Sequence, residues 1–272
     1  MNREYHLHLI SDATGETLNT VAKAVCAQFE GITPREHIYS LVRSERQLQR
    51  ALEHIVANPG IVFFTLVNTS LRKALEAECA KLNVPCVSIL DKAVESMGKF
   101  LGAEETHRPG GQHEMDSRYL ERVEALNFAI QHDDGQNLKN LSEADVVLVG
   151  VSRSSKTPTC VYLAIRGVRA ANIPIVPGVE PDEELFALQK PLYVGLWLSP
   201  ERLLQIRRNR LATMGETKSS DYVSEEAVRS EVAFTRRLFE RYEWPTIDVT
   251  RRSIEETAAA ILNLLGERSS VI

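Results

Sequence analysis

Apolar runs of strand length alternate with amphipathic stretches of helical length along this chain, and that alternation restricts its fold more than any other feature. Tyr5–Ile10 reads as a strand and Glu16–Phe29 as a helix, and His37–Val42 with Ser44–Ala57 repeats the pair. Ile61–Val67, Ser70–Leu82 and Pro85–Leu90 continue as strand, helix and strand. Strands separated by helices pair in parallel, with the helices laid on the faces of the sheet. Four such strands are expected before residue 100.

From Gly102 to Asp116 the pattern lapses around Pro109-Gly110-Gly111, as a linker or functional loop does. The expected division is an N-terminal α/β domain over 1–101, a linker over 102–116 and a second α/β domain over 117–272. In the second half Tyr119–Gln131 reads as a helix and His132-Asp133-Asp134-Gly135 as a turn. Strands are expected at Val146–Val149, Ile173–Val176, Tyr193–Leu198 and Pro245–Val249. Helices are expected at Pro200–Leu211, Ser224–Arg241 and Ser253–Leu265.

The strongest chemical signal is Gly150-Val151-Ser152-Arg153-Ser154-Ser155-Lys156-Thr157, which joins the strand Val146–Val149 to a helical segment that begins with Pro158. A P-loop asks for Gly, four residues, Gly, Lys and then Ser or Thr. Backbone N–H groups curl around phosphate oxygens, Lys supplies charge, and the hydroxyl faces Mg²⁺. Gly150, Lys156 and Thr157 fit, while Ser155 stands where the pattern wants a second glycine, restricting positive φ. The helix start after the loop favours anions, and Pro is tolerated in a first turn. Arg153, inside the loop, could counter charge that develops during phosphoryl transfer. The expected class is therefore α/β, a parallel-sheet N-terminal domain plus a C-terminal P-loop-containing α/β domain.

Ser11-Asp12-Ala13-Thr14-Gly15-Glu16-Thr17 follows the first strand, where ligands of open parallel sheets collect. Its hydroxyls and Gly15 could cradle phosphate, with Asp12 holding Mg²⁺ or accepting a proton; a plain helix cap explains the same residues equally well. Asp145 is set aside, because five residues at ~3.3 Å each place it roughly 16 Å from the loop. Asp91 reads as a helix cap at the end of a faintly Walker B-like run. His107, His113 and His132, with Asp133 and Asp134, match no zinc spacing and read as exposed loop residues. Arg202, Arg207, Arg208 and Arg210 share one helix and could clamp phosphate, although such a run is more often a solvated face.

Composition narrows the rest. Cys26, Cys79, Cys86 and Cys160 are scattered among apolar neighbours, which suits reduced buried thiols and a cytoplasmic location. No leader-like start and no run of ~18 apolar residues is present, so neither secretion nor a membrane partner is expected. A net charge of -5 speaks against a general nucleic-acid surface.

Six segments together resemble the bacterial and plastid regulators of pyruvate, phosphate dikinase. They are Ser11–Thr17, Glu124–Gly135, Gly150–Thr159, Ala171–Pro174, Gly195–Leu203 and Arg252–Ala258, and the likeness covers nearly the whole chain. The resemblance implies a bifunctional enzyme. One activity uses ADP to phosphorylate a threonine beside the catalytic histidine of the dikinase, which inactivates it; the other uses inorganic phosphate to remove that group as pyrophosphate. It places ADP on Gly150 to Thr157, with Lys156 on the terminal phosphate and Thr157 on the metal side, and suggests a homodimer. The sister regulators of phosphoenolpyruvate synthase look similar over the second half but lack the Thr-Gly-Glu-Thr run, which favours the dikinase as target. A nucleotide-sensing module without chemistry and a small-molecule kinase using ATP remain alternatives.

Overall fold

The computed structural model describes residues 3–111, 117–176, 179, 186, 188–214 and 221–270, in two compact units, Met1–Glu114 and Met115–Ile272. Each holds one four-stranded, all-parallel sheet, so the α/β expectation stands.

Unit 1 runs β1 (Arg3–Ser11), α1 (Glu16–Cys26), β2 (Ile32–Tyr39), α2 (Glu45–Ala57), β3 (Ile61–Thr65), α3 (Thr69–Lys81), β4 (Cys86–Ser88) and α4 (Asp91–Leu101). The sheet order is β2-β1-β3-β4. Successive residues of β1 face opposite ways, so its apolar run serves two cores. Leu7 and Leu9 pack with Leu18, Ala22 and Phe63. Ile10 packs with Leu48, Leu52, Ile55, Val62, Phe64, Leu71 and Leu75 from the α2 and α3 side. Helix α2 starts where Ser44 accepts the Gln47 N–H, and α3 where Asn68 accepts from Ser70 and Leu71.

Two elements differ from expectation. β2 lies earlier than His37–Val42, because β1 pairs with it residue by residue from Arg3↔Ile32 to Ile10↔Tyr39, and Leu41 leaves the ladder with φ 59°. An edge strand with mostly exposed side chains carries no apolar run to announce itself. Helix α4 was not expected; none of its residues is buried, and it ends on Gly102 at φ 60°. Residues of the expected linker line a cavity of unit 1.

Unit 2 runs α5 (Ser117–Gln131), β5 (Val146–Gly150), α6 (Lys156–Ala164), β6 (Ala170–Pro174), β7 (Leu192–Trp197), α7 (Pro200–Met214), α8 (Glu225–Arg241), β8 (Thr246–Asp248) and α9 (Ile254–Ser270). Its order, β6-β5-β7-β8, repeats the order of unit 1. β5 is central and wholly buried. Val146 and Leu148 meet Cys160, Leu163, Ala258 and Ile261, while Val147 and Val149 meet Phe186, Tyr193 and Phe239. At its end a Cβ on Gly150 would stand 2.5 Å from the Leu196 carbonyl oxygen, so only glycine lets β5 pass β7 there.

All four cysteines are free thiols, Cys79 and Cys160 buried, Cys26 and Cys86 half-buried. Among the described residues no helix is long and apolar enough to cross a membrane.

Candidate functional site

In both sheets the strand order reverses beside the central strand, and the crevice beyond the strand ends at such a point is where open α/β sheets take ligands. In unit 2 the loop 151–155 leaves β5 at this point and enters α6.

The loop is strained in a way glycine would normally absorb. Arg153 has φ 77° and Ser155, the α6 N-cap, has φ 61°. Left-handed backbone costs a non-glycine residue roughly 1–2 kcal/mol. Ser155 thus takes the conformation expected of the second glycine of the pattern. Its side chain does not cap the helix, which leaves the first α6 N–H groups without that partner. Ser154 is buried and donates from both N and Oγ to the Val151 carbonyl, at 3.3 and 2.9 Å.

Lys156 opens α6 with only 5% of its surface exposed, and Nζ donates to the same Val151 carbonyl at 3.0 Å. Burial pulls its pKa down to about 8, against the opposing pull of Asp134, Asp133 and Glu231. Among the described residues no carboxylate touches the ammonium: it is folded onto its own loop, a posture from which a diphosphate could recruit it.

Thr157 is tied to a segment read from sequence as a free turn. Its Oγ1 donates to Asp133 Oδ1 at 2.7 Å, and Asn172 of β6 donates to that same oxygen. Asn172 also accepts the Asp134 N–H and bonds the His132 carbonyl through its own N–H. Residues 132–134 are therefore fastened to β6 and to the loop. His132 corrects the exposed-loop expectation: it is 2% exposed, stacks on Phe128 at 3.8 Å between ring centroids, and donates from Nδ1 to the Phe128 carbonyl. His107 is exposed as expected, and His113 lies outside the described residues.

Gly150, Val151, Ser152, Arg153, Ser154, Ser155, Lys156 and Thr157 thus run from the end of β5 through the loop into the first turn of α6, with Arg153 exposed and its Nε 3.4 Å from the Tyr222 hydroxyl. Asp145 accepts the Arg169 N–H at the far end of β5, as its exclusion required. Arg202, Arg208 and Arg210 form the expected solvated face, whereas Arg207 is buried against Glu231. Asn172 enters the sequence reading only within the segment Ala171–Pro174 and with no role, although one amide inside the apolar run Ala170–Ile173 is its signal.

Asp12 belongs to unit 1. It lies at the β1/β3 reversal, in a cavity of about 620 Å³ lined by residues 11–17, by Arg72 and Lys73 of α3, and by residues 105–110. Its Oδ2 accepts the Val67 N–H at 2.7 Å and its carbonyl accepts Arg43 Nε at 2.7 Å. Burial raises its pKa, while the Val67 N–H and Arg43 hold it down. The helix-cap alternative for Ser11–Thr17 fails, because Gly15 is the α1 N-cap and no side chain caps it. Ser11 instead accepts from the Ala13 N–H and the Thr65 hydroxyl. Asp91 is the first residue of α4 rather than its cap, and pairs with Arg72. Among the described residues no cluster of three His, Cys, Asp or Glu is arranged to hold a metal unaided.

The family model described as kinase/pyrophosphorylase matches residues 7–262. A protein of Caulobacter vibrioides named as a pyruvate, phosphate dikinase regulatory protein is 59% identical over 268 residues, 98% of this chain and 85% of its own length. Proteins of the same name from Maricaulis maris and Bradyrhizobium diazoefficiens are 52% and 53% identical, each over 98% of this chain and over 95% and 96% of their own.

Proposed function

The chain belongs to the kinase/pyrophosphorylase family, and from that premise we propose that it regulates pyruvate, phosphate dikinase by adding and removing a phosphoryl group on a threonine. In the inactivating direction ADP gives its terminal phosphoryl to the threonine oxygen; AMP leaves and the hydroxyl proton goes to a carboxylate. In the activating direction an oxygen of inorganic phosphate attacks the phosphothreonine, pyrophosphate departs and the threonine recovers its proton. Both steps need positioning and charge neutralisation more than covalent help.

One observation carries this reading: a buried Lys156 ammonium at an uncapped helix N-terminus, held by a carbonyl of its own loop rather than by a carboxylate. Lys156 would move to the terminal phosphate of ADP, the α6 N–H groups would take further oxygens, and Arg153 would swing from Tyr222 onto the transferring group. Mg²⁺ would be held by the Thr157 hydroxyl and the Asp133 carboxylate, hard oxygen donors of the kind it takes. When bound it would neutralise phosphate charge. Asp12 is the carboxylate proposed to accept the proton. The protein would work in the cytoplasm, and a homodimer belongs to the same reading.

Mass spectrometry of dikinase and of phosphoenolpyruvate synthase, each incubated with the protein and ADP or ATP and then with phosphate, tests the proposal. A threonine phosphate that appears on dikinase with ADP and disappears with phosphate is expected. Its absence there, its appearance only on the synthase, or a requirement for ATP would defeat the proposal. Asp12→Asn in the same assay should lose turnover, and an unchanged rate would remove Asp12 as the proton acceptor.

A further inference from the structure

Arg207 in α7 has the contacts of a brace for the phosphate loop. Its side chain is 3% exposed and pairs with Glu231 of α8 through both guanidinium ends, at 2.7 and 2.8 Å. The same two nitrogens reach further, Nη1 to the Tyr222 carbonyl at 3.3 Å and Nη2 to the Ser152 carbonyl at 3.2 Å. The guanidinium carbon lies 4.4 Å from the centroid of the Tyr222 ring, whose hydroxyl faces Arg153 Nε. A surface ion pair would contribute little, but this one is buried, planar and bonded to the loop backbone.

We propose that Arg207, oriented by Glu231, is a positioning residue that sets the Ser152–Arg153 peptide for phosphate binding. In a trans peptide the carbonyl and the next N–H point in opposite directions. Anchoring the Ser152 oxygen on the buried guanidinium therefore turns the Arg153 N–H toward the open side of the loop, where a phosphate oxygen would meet it. The brace also opposes relaxation of the positive φ at Arg153, since a rotated peptide would lose a charge-assisted hydrogen bond. Lysine cannot replace it, because one ammonium cannot grip both carboxylate oxygens and two carbonyls in a plane.

This inference rests on the loop being the nucleotide site, and the tests separate the two claims. Removing one partner would strand a buried charge, so the informative variant is Arg207→Met with Glu231→Leu, a replacement of the whole pair that folded proteins often tolerate. Calorimetric titration of the full chain with ADP, and separately with pyrophosphate, should show roughly tenfold to hundredfold weaker binding in the double variant, the loss expected for one hydrogen bond to a charged group. Arg207→Lys should not restore it, and unfolding curves should show the double variant folded. In the unmodified protein the ¹⁵N–¹H signal of Arg153 should shift on saturation with ADP. Equal affinity in the folded double variant, or an unmoved Arg153 amide, would overturn this inference alone. An unmodified protein that binds neither ADP nor pyrophosphate would overturn both claims.

Discussion

Replacing Lys156 with Met should make the ligand-free protein more stable while removing its affinity for nucleotide. The ammonium is buried, and its pKa falls from 10.5 to about 8, a penalty on the charged form of about 3 kcal/mol. At pH 7 the side chain is protonated in both folded and unfolded chains, so the folded state bears that penalty in full. Met is similar in length and apolar, and leaves no orphan, because the Val151 carbonyl keeps the Ser154 N–H and hydroxyl as donors. The gain should be about 2–3 kcal/mol, or roughly 5–10 °C in the melting temperature of a unit this size.

The sign of the pH dependence separates this account from a simple packing improvement. Between pH 8 and 10.5 the folded protein has released the Lys156 proton while the unfolded chain still holds it. Wild-type stability therefore rises with pH across that window, and the advantage of Lys156→Met should close by about pH 10.5. ADP at a thousand times its Kd should reverse the order at neutral pH, since it adds about 4.1 kcal/mol to the wild type and nothing to the variant. Scanning calorimetry at pH 7, 9 and 10.5, with and without ADP, measures all of this. A variant less stable than wild type at pH 7, or one whose advantage persists unchanged at pH 10.5, would refute the reasoning.

Two further outcomes are expected. Thr157→Val removes the donor at 2.7 Å from Asp133 but leaves Asn172 on the same oxygen, so unit 2 should lose about 1 kcal/mol in urea and ADP binding should lose its dependence on Mg²⁺; an unchanged Mg²⁺ response would contradict the role given to that hydroxyl. In unit 1, His8 is buried between Tyr39, His37 and the Asn58 carbonyl, and burial lowers its pKa, as it does for His37 beside His6 and Arg35. Stability held above the ordinary histidine value should fall as pH drops through and below it, visible as faster amide exchange at Leu7 and Leu9 at pH 5.5 than at 7.5 after intrinsic correction; equal protection would show that these histidines do not titrate against the fold.

What was legible from sequence follows from which interactions are local. The βα alternation and the β5–loop–α6 passage are each written within about ten residues and both are present, although β6 begins three residues before the expected Ile173–Val176. β2 is displaced because pairing with β1 fixes it and its exposed side chains form no apolar run, whereas α4 carries Val94, Met97 and Leu101 at helical spacing but leaves that stripe exposed. Asp133 reads as a turn until β6 brings Asn172 to it from 39 residues away. Arg207 looks like its exposed neighbours until Glu231 meets it 24 residues on.

The two halves also show what a local pattern leaves undecided. Both central strands run into a helix whose N-cap is left-handed and lacks a side-chain bond, Gly15 at φ 83° and Ser155 at φ 61°. Both helices then continue with a charged residue and a threonine, Glu16-Thr17 in unit 1 and Lys156-Thr157 in unit 2. The backbone dipole favours an anion at either start. At α1 an incoming phosphate would meet the Glu16 carboxylate, and at α6 the Lys156 ammonium. The Glu16 carboxylate already answers the α1 dipole, whereas Lys156 leaves the α6 dipole to an incoming anion. The same charge comparison favours Gly150–Thr157 for the proposed diphosphate, since there backbone and side chain act in one direction.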